Sequence, residues 1–131
     1  MMRLSTPLSD EHERIVSATI DCAFDVHRHL GPGFRERIYQ TAFCLELESR
    51  GMTFEREKPI EVPYKKWRIP GQRIDLIVAK VVIVEIKCVP ALKWMHKRQL
   101  LSYLNATRVR IGLLINFNTE VLKDGLKRVI A

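Results

Sequence analysis

Two strand-like runs near the middle of the chain carry charge where an ordinary core strand carries none. Ile74-Asp75-Leu76-Ile77-Val78 is followed after two residues by Val81-Val82-Ile83-Val84-Glu85-Ile86-Lys87. Both runs are rich in the β-branched residues that favour a pleated, buried strand. Side chains alternate faces along a strand, so Asp75, Ile77, Ile83, Glu85 and Lys87 share one face. Leu76, Val78, Val82, Val84 and Ile86 form an unbroken apolar face opposite. If the runs pair as an antiparallel hairpin with Asp75 opposite Glu85, the connection is odd in length and centred on Lys80. The two carboxylates then project side by side with Lys87 next to them, and a slip of one residue separates them. Three charges in such a setting need a compensating partner, because each is costly to bury alone. A divalent metal ion is the simplest candidate; a surface hairpin with one cross-strand ion pair is the plainer reading.

The rest of the chain frames that hairpin. Ser9 is a plausible N-cap with Asp10, Glu11 and Glu13 in the first turn, and Ile15, Thr19, Cys22 and Val26 recur at helical spacing until Gly31-Pro32-Gly33. A second helix is predicted over Phe34 to Arg50, burying Ile38, Tyr39, Ala42, Phe43 and Leu47 and stopped by Gly51. Thr53 to Glu57 and Ile60 to Tyr64 read as one strand or two, with Pro59 marking a break or an edge. After the hairpin come a helix over Pro90 to Asn105, an apolar strand over Val109 to Ile115 fit for a sheet centre, one helical turn and a last strand at Lys127 to Ile130. From the second helix the order is α, β, β, β, α, β, with an extra helix in front.

With 131 residues the chain is expected to form a single domain over 1–131, with residues 1–8 flexible. No apolar run approaches the roughly 20 residues that span a bilayer, and Met1 to Pro7 lack the apolar stretch of a signal peptide, so a cytoplasmic location and no membrane partner are expected. Cys22, Cys44 and Cys88 are odd in number and scattered among apolar neighbours, which fits reduced packing residues better than a zinc site or a disulfide framework. The formal charge of +7, from 22 basic and 15 acidic residues, favours a polyanionic partner.

Asp75 followed by Glu85-x-Lys87 resembles the pattern of the PD-(D/E)XK nuclease superfamily, with Ile74 where the superfamily's name has proline. Gly33-Phe34-Arg35-Glu36-Arg37-Ile38-Tyr39 is similar to the signature of the GxxExxY family placed within that superfamily. Val26 to Gly33, Gln99 to Leu104 and Gly112 to Phe117 agree with the same family, so the resemblance spans most of the chain from about His12 onward. It implies a restriction-endonuclease-like α/β fold with an αβββαβ core, a mixed central sheet flanked by helices.

The resemblance also implies roles. Asp75 and Glu85 would bind a metal, with the backbone carbonyl of Ile86, and Lys87 would hold the attacking water or the charge on the transition state. Hard oxygen ligands point to Mg2+, with Mn2+ as a substitute. Three scattered cysteines cannot supply the four ligands of an iron–sulfur cluster. Glu36 has two readings: a metal ligand, direct or through water, and a first-turn acid favoured by the helix dipole. Tyr39 reads as a hydrogen-bond partner of Glu36 or as a core aromatic.

In the third helix Leu92, His96, Gln99 and Tyr103 fall on one face, and Gln99-x-x-x-Tyr103 resembles an element that approaches site and nucleic acid in exonuclease-like members. His96 is given a supporting role only. Lys93, Lys97 and Arg98 opposite are a solvated face or a phosphate-contacting ridge. Lys65-Lys66-Trp67-Arg68, with Arg73 near, reads as a nucleic-acid patch, its cations for phosphates and Trp67 for stacking, or as a surface turn with one packing tryptophan. His27, Arg28 and His29 are explained by the helix C-terminus they close.

Three function classes follow: a metal-dependent nuclease acting on DNA at ends or branches, as a homodimer or with a protein partner; a non-catalytic nucleic-acid-binding or partner-dependent subunit; and a structural interaction protein, which would leave the buried charges unexplained.

Overall fold

The computed structural model describes residues 8–131; of the stretch expected to be flexible, residues 1–7 lie outside it. Helix α1 runs Asp10–Leu30, with the Ser9 side chain accepting from the His12 amide and Gly31 closing it at φ +64. Helix α2 runs Glu36–Ser49. Strands β1 (Phe54–Tyr64), β2 (Trp67–Val78) and β3 (Val82–Lys87) follow, then α3 (Trp94–Thr107), β4 (Ile111–Asn116), the short α4 (Leu122–Gly125) and β5 (Leu126–Ile130). The sheet order is β1-β2-β3-β4-β5, with β3 and β4 parallel and every other pair antiparallel. The α3 crossover supplies the long connection that a parallel pair requires.

Two apolar clusters cover the two faces of the sheet. Leu76, Val78, Val82, Val84 and Ile86 pack with Val16, Cys22, Tyr39, Phe43 and Leu47, so the face read as wholly apolar is the one covered by α1 and α2. Ile77 and Ile83 pack on the other face with Leu100, Tyr103 and Leu104 of α3. Gly112 lets α3 sit this low: a Cβ there would lie 2.7 Å from the Leu100 side chain.

The hairpin register is the expected one. Leu76 pairs with Val84, Ile77 with Ile83 and Val78 with Val82, leaving a connection of 79–81 centred on Lys80. Ala79 and Lys80 both hold positive φ, at +52 and +59, a conformation that L-residues rarely adopt. Pro59 sits inside a single strand, β1, at the sheet edge where its missing N–H is tolerated.

Three expectations are corrected. Ile38 is 47% exposed, because the buried stripe of α2 is Tyr39, Gln40, Phe43, Cys44 and Leu47. The third helix starts at Trp94 and not at Pro90, so Leu92 lies ahead of it; its buried stripe is Leu100, Tyr103 and Leu104, Gln99 is exposed, and the His96 ring accepts from the Lys93 amide at the helix start (3.0 Å). Strict alternation also fails at Asp75: Ile74 packs on the same face as Ile77, so β2 turns about its axis between them.

Candidate active site

The β2–β3 ladder stops at Leu76 and Val84, while β2 continues outward paired only with β1. Asp75 and Glu85 are the next residues in register, at the mouth of this fork. A continuing ladder would join Ile86 to Ile74, but β2 has turned away. The Ile86 amide instead donates to Asp75 Oδ2 (2.8 Å), and the Asp75 amide donates to Glu85 Oε1 (3.0 Å). Each carboxylate thus caps a backbone donor that the fork would leave orphaned. The N–H and C=O of one strand residue point to the same side, so the Ile86 carbonyl also faces the fork.

The electrostatics are those of two acids held close together in a buried place. Burial, then the negative charge of Asp75, pushes Glu85 up to about 8. Asp75 is raised as well, by burial and by Glu57, against the lowering effect of its bond from Ile86. Lys87 lowers both, yet no salt bridge joins it to either, so the cross-strand ion pair of the plainer reading is not formed among the described residues. The Lys87 carbonyl accepts from the Phe117 amide (3.0 Å), which fixes the end of β3 against β4.

Glu36 reaches the same place from α2. It lines an open cleft of about 400 Å³ with Arg37, Gln40, Arg56, Glu57 and Asp75. Its carboxyl is raised by burial and then by Asp75, and lowered by Lys87, so it belongs electrostatically to the fork. The Gly33–Tyr39 segment explains how it gets there. Gly33 holds φ +114, the Tyr39 hydroxyl donates to the Gly31 carbonyl (2.5 Å) and accepts from the Phe34 amide (3.2 Å), and the Tyr39 ring stacks on Phe117 at 4.7 Å. Tyr39 therefore clamps the turn that starts α2 and makes no bond to Glu36.

Tyr103 approaches from the other face. Its hydroxyl accepts from Gln72 Nε2 (2.7 Å), with Gln99 beside it, and its pKa is raised by burial and by the charges of Glu85 and Asp75. Asp75, Glu85, Lys87, Glu36 and Tyr103 are thus brought together, with Gln99 at the edge. Lys65, Lys66 and Trp67 are not: they form the tip of the β1–β2 ribbon. Arg68 and Arg73 pair with Pro63 and Pro59 on the opposite face of the ribbon from Trp67, and Arg68 lies 3.8 Å from Glu61. Lys93, Lys97 and Arg98 are exposed on α3. Cys22 and Cys44 are buried and Cys88 half-buried, all three thiols raised by burial, Cys88 to about 11.

Sequence reasoning missed Glu57 and Gln40. Glu57 holds φ +51, and its carboxylate accepts from buried Gln40 Nε2 (2.9 Å), whose own oxygen accepts from Arg56 (2.8 Å). The polar break at Gln40 in a buried helical stripe was the available signal. Asn116, also missed, is buried beside Lys87 in the sheet and ties Val89 in place through both amide groups.

Among the described residues no group of three His, Cys, Asp or Glu side chains is close enough to hold a metal as it stands. The donor set at the fork is two carboxylates and a strand carbonyl, all hard oxygens. It fits a cation such as Mg2+, which keeps several waters and takes few protein ligands.

A family model for the PD-(D/E)XK nuclease superfamily matches residues 13–129. The chain belongs to that superfamily, and its mixed five-stranded sheet with flanking helices is the restriction-endonuclease-like fold. Superfamily members generally use divalent metal ions. No curated protein and no solved structure matches the chain. Among the described residues no helix is long and apolar enough to cross a membrane.

Proposed function

We propose that the protein is a Mg2+-dependent nuclease that hydrolyses phosphodiester bonds in DNA, of the GxxExxY type that the Gly33–Tyr39 segment resembles, and that it works in the cytoplasm. The observation that carries the reading is the fork itself: two acids in register, both raised in pKa, where one strand leaves its partner. A pair placed only to cap two amides would not need both residues to be carboxylic acids, since an amide oxygen accepts equally well.

Asp75, Glu85 and the Ile86 carbonyl would hold the metal ion, which when bound lowers the pKa of water and stabilises charge on a phosphoryl oxygen. Lys87, next but one to Glu85 on β3, would hold a water or the developing negative charge. Glu36, which lines the cleft, would bind the metal directly or through a water, and Glu57 adds to the negative field. Tyr103 and Gln99 present donors on the α3 side.

The decisive experiment is cleavage of single-stranded, duplex and branched DNA and RNA with magnesium, manganese or chelator, with Lys87→Ala beside the wild type. Metal-dependent cleavage that Lys87→Ala loses supports the reading. Cleavage by both alike marks a contaminant, and none by either under any metal favours a nucleic-acid-binding subunit that retains the fold.

A further inference from the structure

Along the outer part of the β1–β2 ribbon, large apolar side chains line up in water. Val62 pairs with Ile69 and Tyr64 with Trp67, and cross-strand partners share a face. The four are 40%, 49%, 53% and 55% exposed. A two-stranded ribbon gains little stability from such a strip, and an exposed apolar edge invites association. The opposite face of the same ribbon has ordinary surface chemistry, Glu61, Pro63 and Arg68.

The tip has further structure. The Tyr64 and Trp67 rings stack with centroids 6.3 Å apart and planes 20° off parallel. Lys65 Nζ stands 5.4 Å from the Tyr64 centroid and Lys66 Nζ 4.9 Å from that of Trp67. Between them Lys65 occupies a left-handed backbone position at φ +53, where Asn or Gly is the usual residue in a tight hairpin. A lysine there adds charge at the expense of backbone ease. Planar rings flanked by ammonium groups match a nucleobase joined to a phosphate.

We propose that this arm stacks unpaired bases, and so directs the fork to nucleic acids with a single-stranded or opened segment. The inference rests on the nuclease reading and names its substrate class. Ile60, where the strip leaves the core, is buried against Leu100, Tyr103 and Leu104 of α3, and the ribbon register shifts between it and Val62. Trp67 is eight residues before Asp75; at about 3.3 Å per residue the rings stand at most roughly 27 Å from the fork, about eight nucleotide steps of 3.4 Å. A second copy of the chain is the weaker occupant. With aromatic side chains covering about 150–250 Å², the exposed parts of the strip total roughly 400 Å², about half of what each partner gives a standard interface.

The test is binding of a labelled mixed-sequence oligonucleotide, single-stranded or as a blunt duplex, to the full chain with calcium in place of magnesium. The double variant Tyr64→Ala/Trp67→Ala should melt with the wild type and lose at least about tenfold in single-strand affinity, but less than about twofold on duplex. Lys65→Gln/Lys66→Gln should weaken both and reduce the salt slope by about two. Equal losses on both forms, no loss on either, or a wild type that binds neither overturns the proposal. So does a wild-type dimer that the aromatic variant dissociates, which would make the strip a self-contact. If the arm binds single strands as expected but the wild type cleaves nothing under any metal, the nuclease reading fails and the stacking role stands. Duplex cleavage with unchanged single-strand affinity in the aromatic variant sinks the arm alone.

Discussion

Strand β2 breaks the ordinary patterning rule twice, in opposite senses. Its inner part, from Ile74 to Val78, is mostly buried, with Leu76 to Val78 paired on both sides, yet holds Asp75; its outer part, from Trp67 to Arg73, is paired with β1 only and mostly exposed, yet holds Trp67 and Ile69. Charge sits in the core and hydrophobes sit in water. Local rules fail together where something outside the chain is meant to complete the structure. In the reading proposed above, that something is a cation for the inner part and a base for the outer part.

The largest expected effect lies at the inner part. Lys87→Ala and Asp75→Asn should each lower metal-dependent cleavage by about 10²–10³-fold or more, measured as initial rates on a labelled substrate. Removing the metal with chelator should act as strongly, and magnesium should raise the wild-type melting temperature. At a hundred times its dissociation constant the stabilisation is about 2.7 kcal/mol. A wild type whose melt ignores every divalent ion would make the fork a purely structural clasp.

Stability separates the two duties of Asp75. Asp75→Asn keeps an oxygen for the Ile86 amide and should melt near or above the wild type, because it relieves repulsion with Glu85. Asp75→Ala orphans a buried N–H and should cost about 1–3 kcal/mol in denaturant unfolding. If the two variants are equally destabilised, charge and not hydrogen bonding holds the fork.

The pH dependence has a fixed sign. Glu85 is raised from an ordinary value of 4.5 to about 8, so the folded metal-free protein binds more protons than the unfolded chain between those values. Its contribution to stability is full below about pH 4.5 and is lost as pH rises through about 8. Asp75 and Glu36, also raised, act in the same direction, while the exposed acids Glu13, Asp25 and Glu55, lowered by their basic neighbours, act weakly in the opposite one. Unfolding with chelator from pH 5 to 9 should show the decline, and magnesium should flatten it by displacing the proton. A metal-free stability that climbs over this range would place the Glu85 proton elsewhere.

The smallest expected effect is Tyr39→Phe, which removes the bond to the Gly31 carbonyl and should cost about 1 kcal/mol. If the clamp positions Glu36, cleavage should fall while the affinity for substrate holds.

How much of this was legible follows from which residues repeat. The register about Lys80 could be read because five apolar residues alternate without a break, and a slip of one residue would have parted Asp75 from Glu85. The strip on the arm could not, because Pro59, Pro63 and Pro70 punctuate it like loop sequence and its apolar residues have no core to face. Ile38 was misread for a related reason: its neighbours Tyr39 and Gln40 own the buried stripe, and spacing alone does not say which of two adjacent rows faces the sheet. Glu57 was out of reach, since its left-handed backbone leaves no mark in a run of Arg56-Glu57-Lys58. The pair Asp75 and Glu85 was legible through charge in an apolar context, whereas their bonds to backbone amides depend on where β2 turns away.

The connection at 79–81 carries an inheritance constraint. It is three residues long, two of them left-handed, and it alone determines which residue of β3 meets Asp75. Descendants of this chain can exchange the exposed Lys80 for glycine or asparagine and relieve strain, whereas Ala79 also packs against the core. A single codon gained or lost there would carry Glu85 past its partner and silence the site with every one of its residues still encoded.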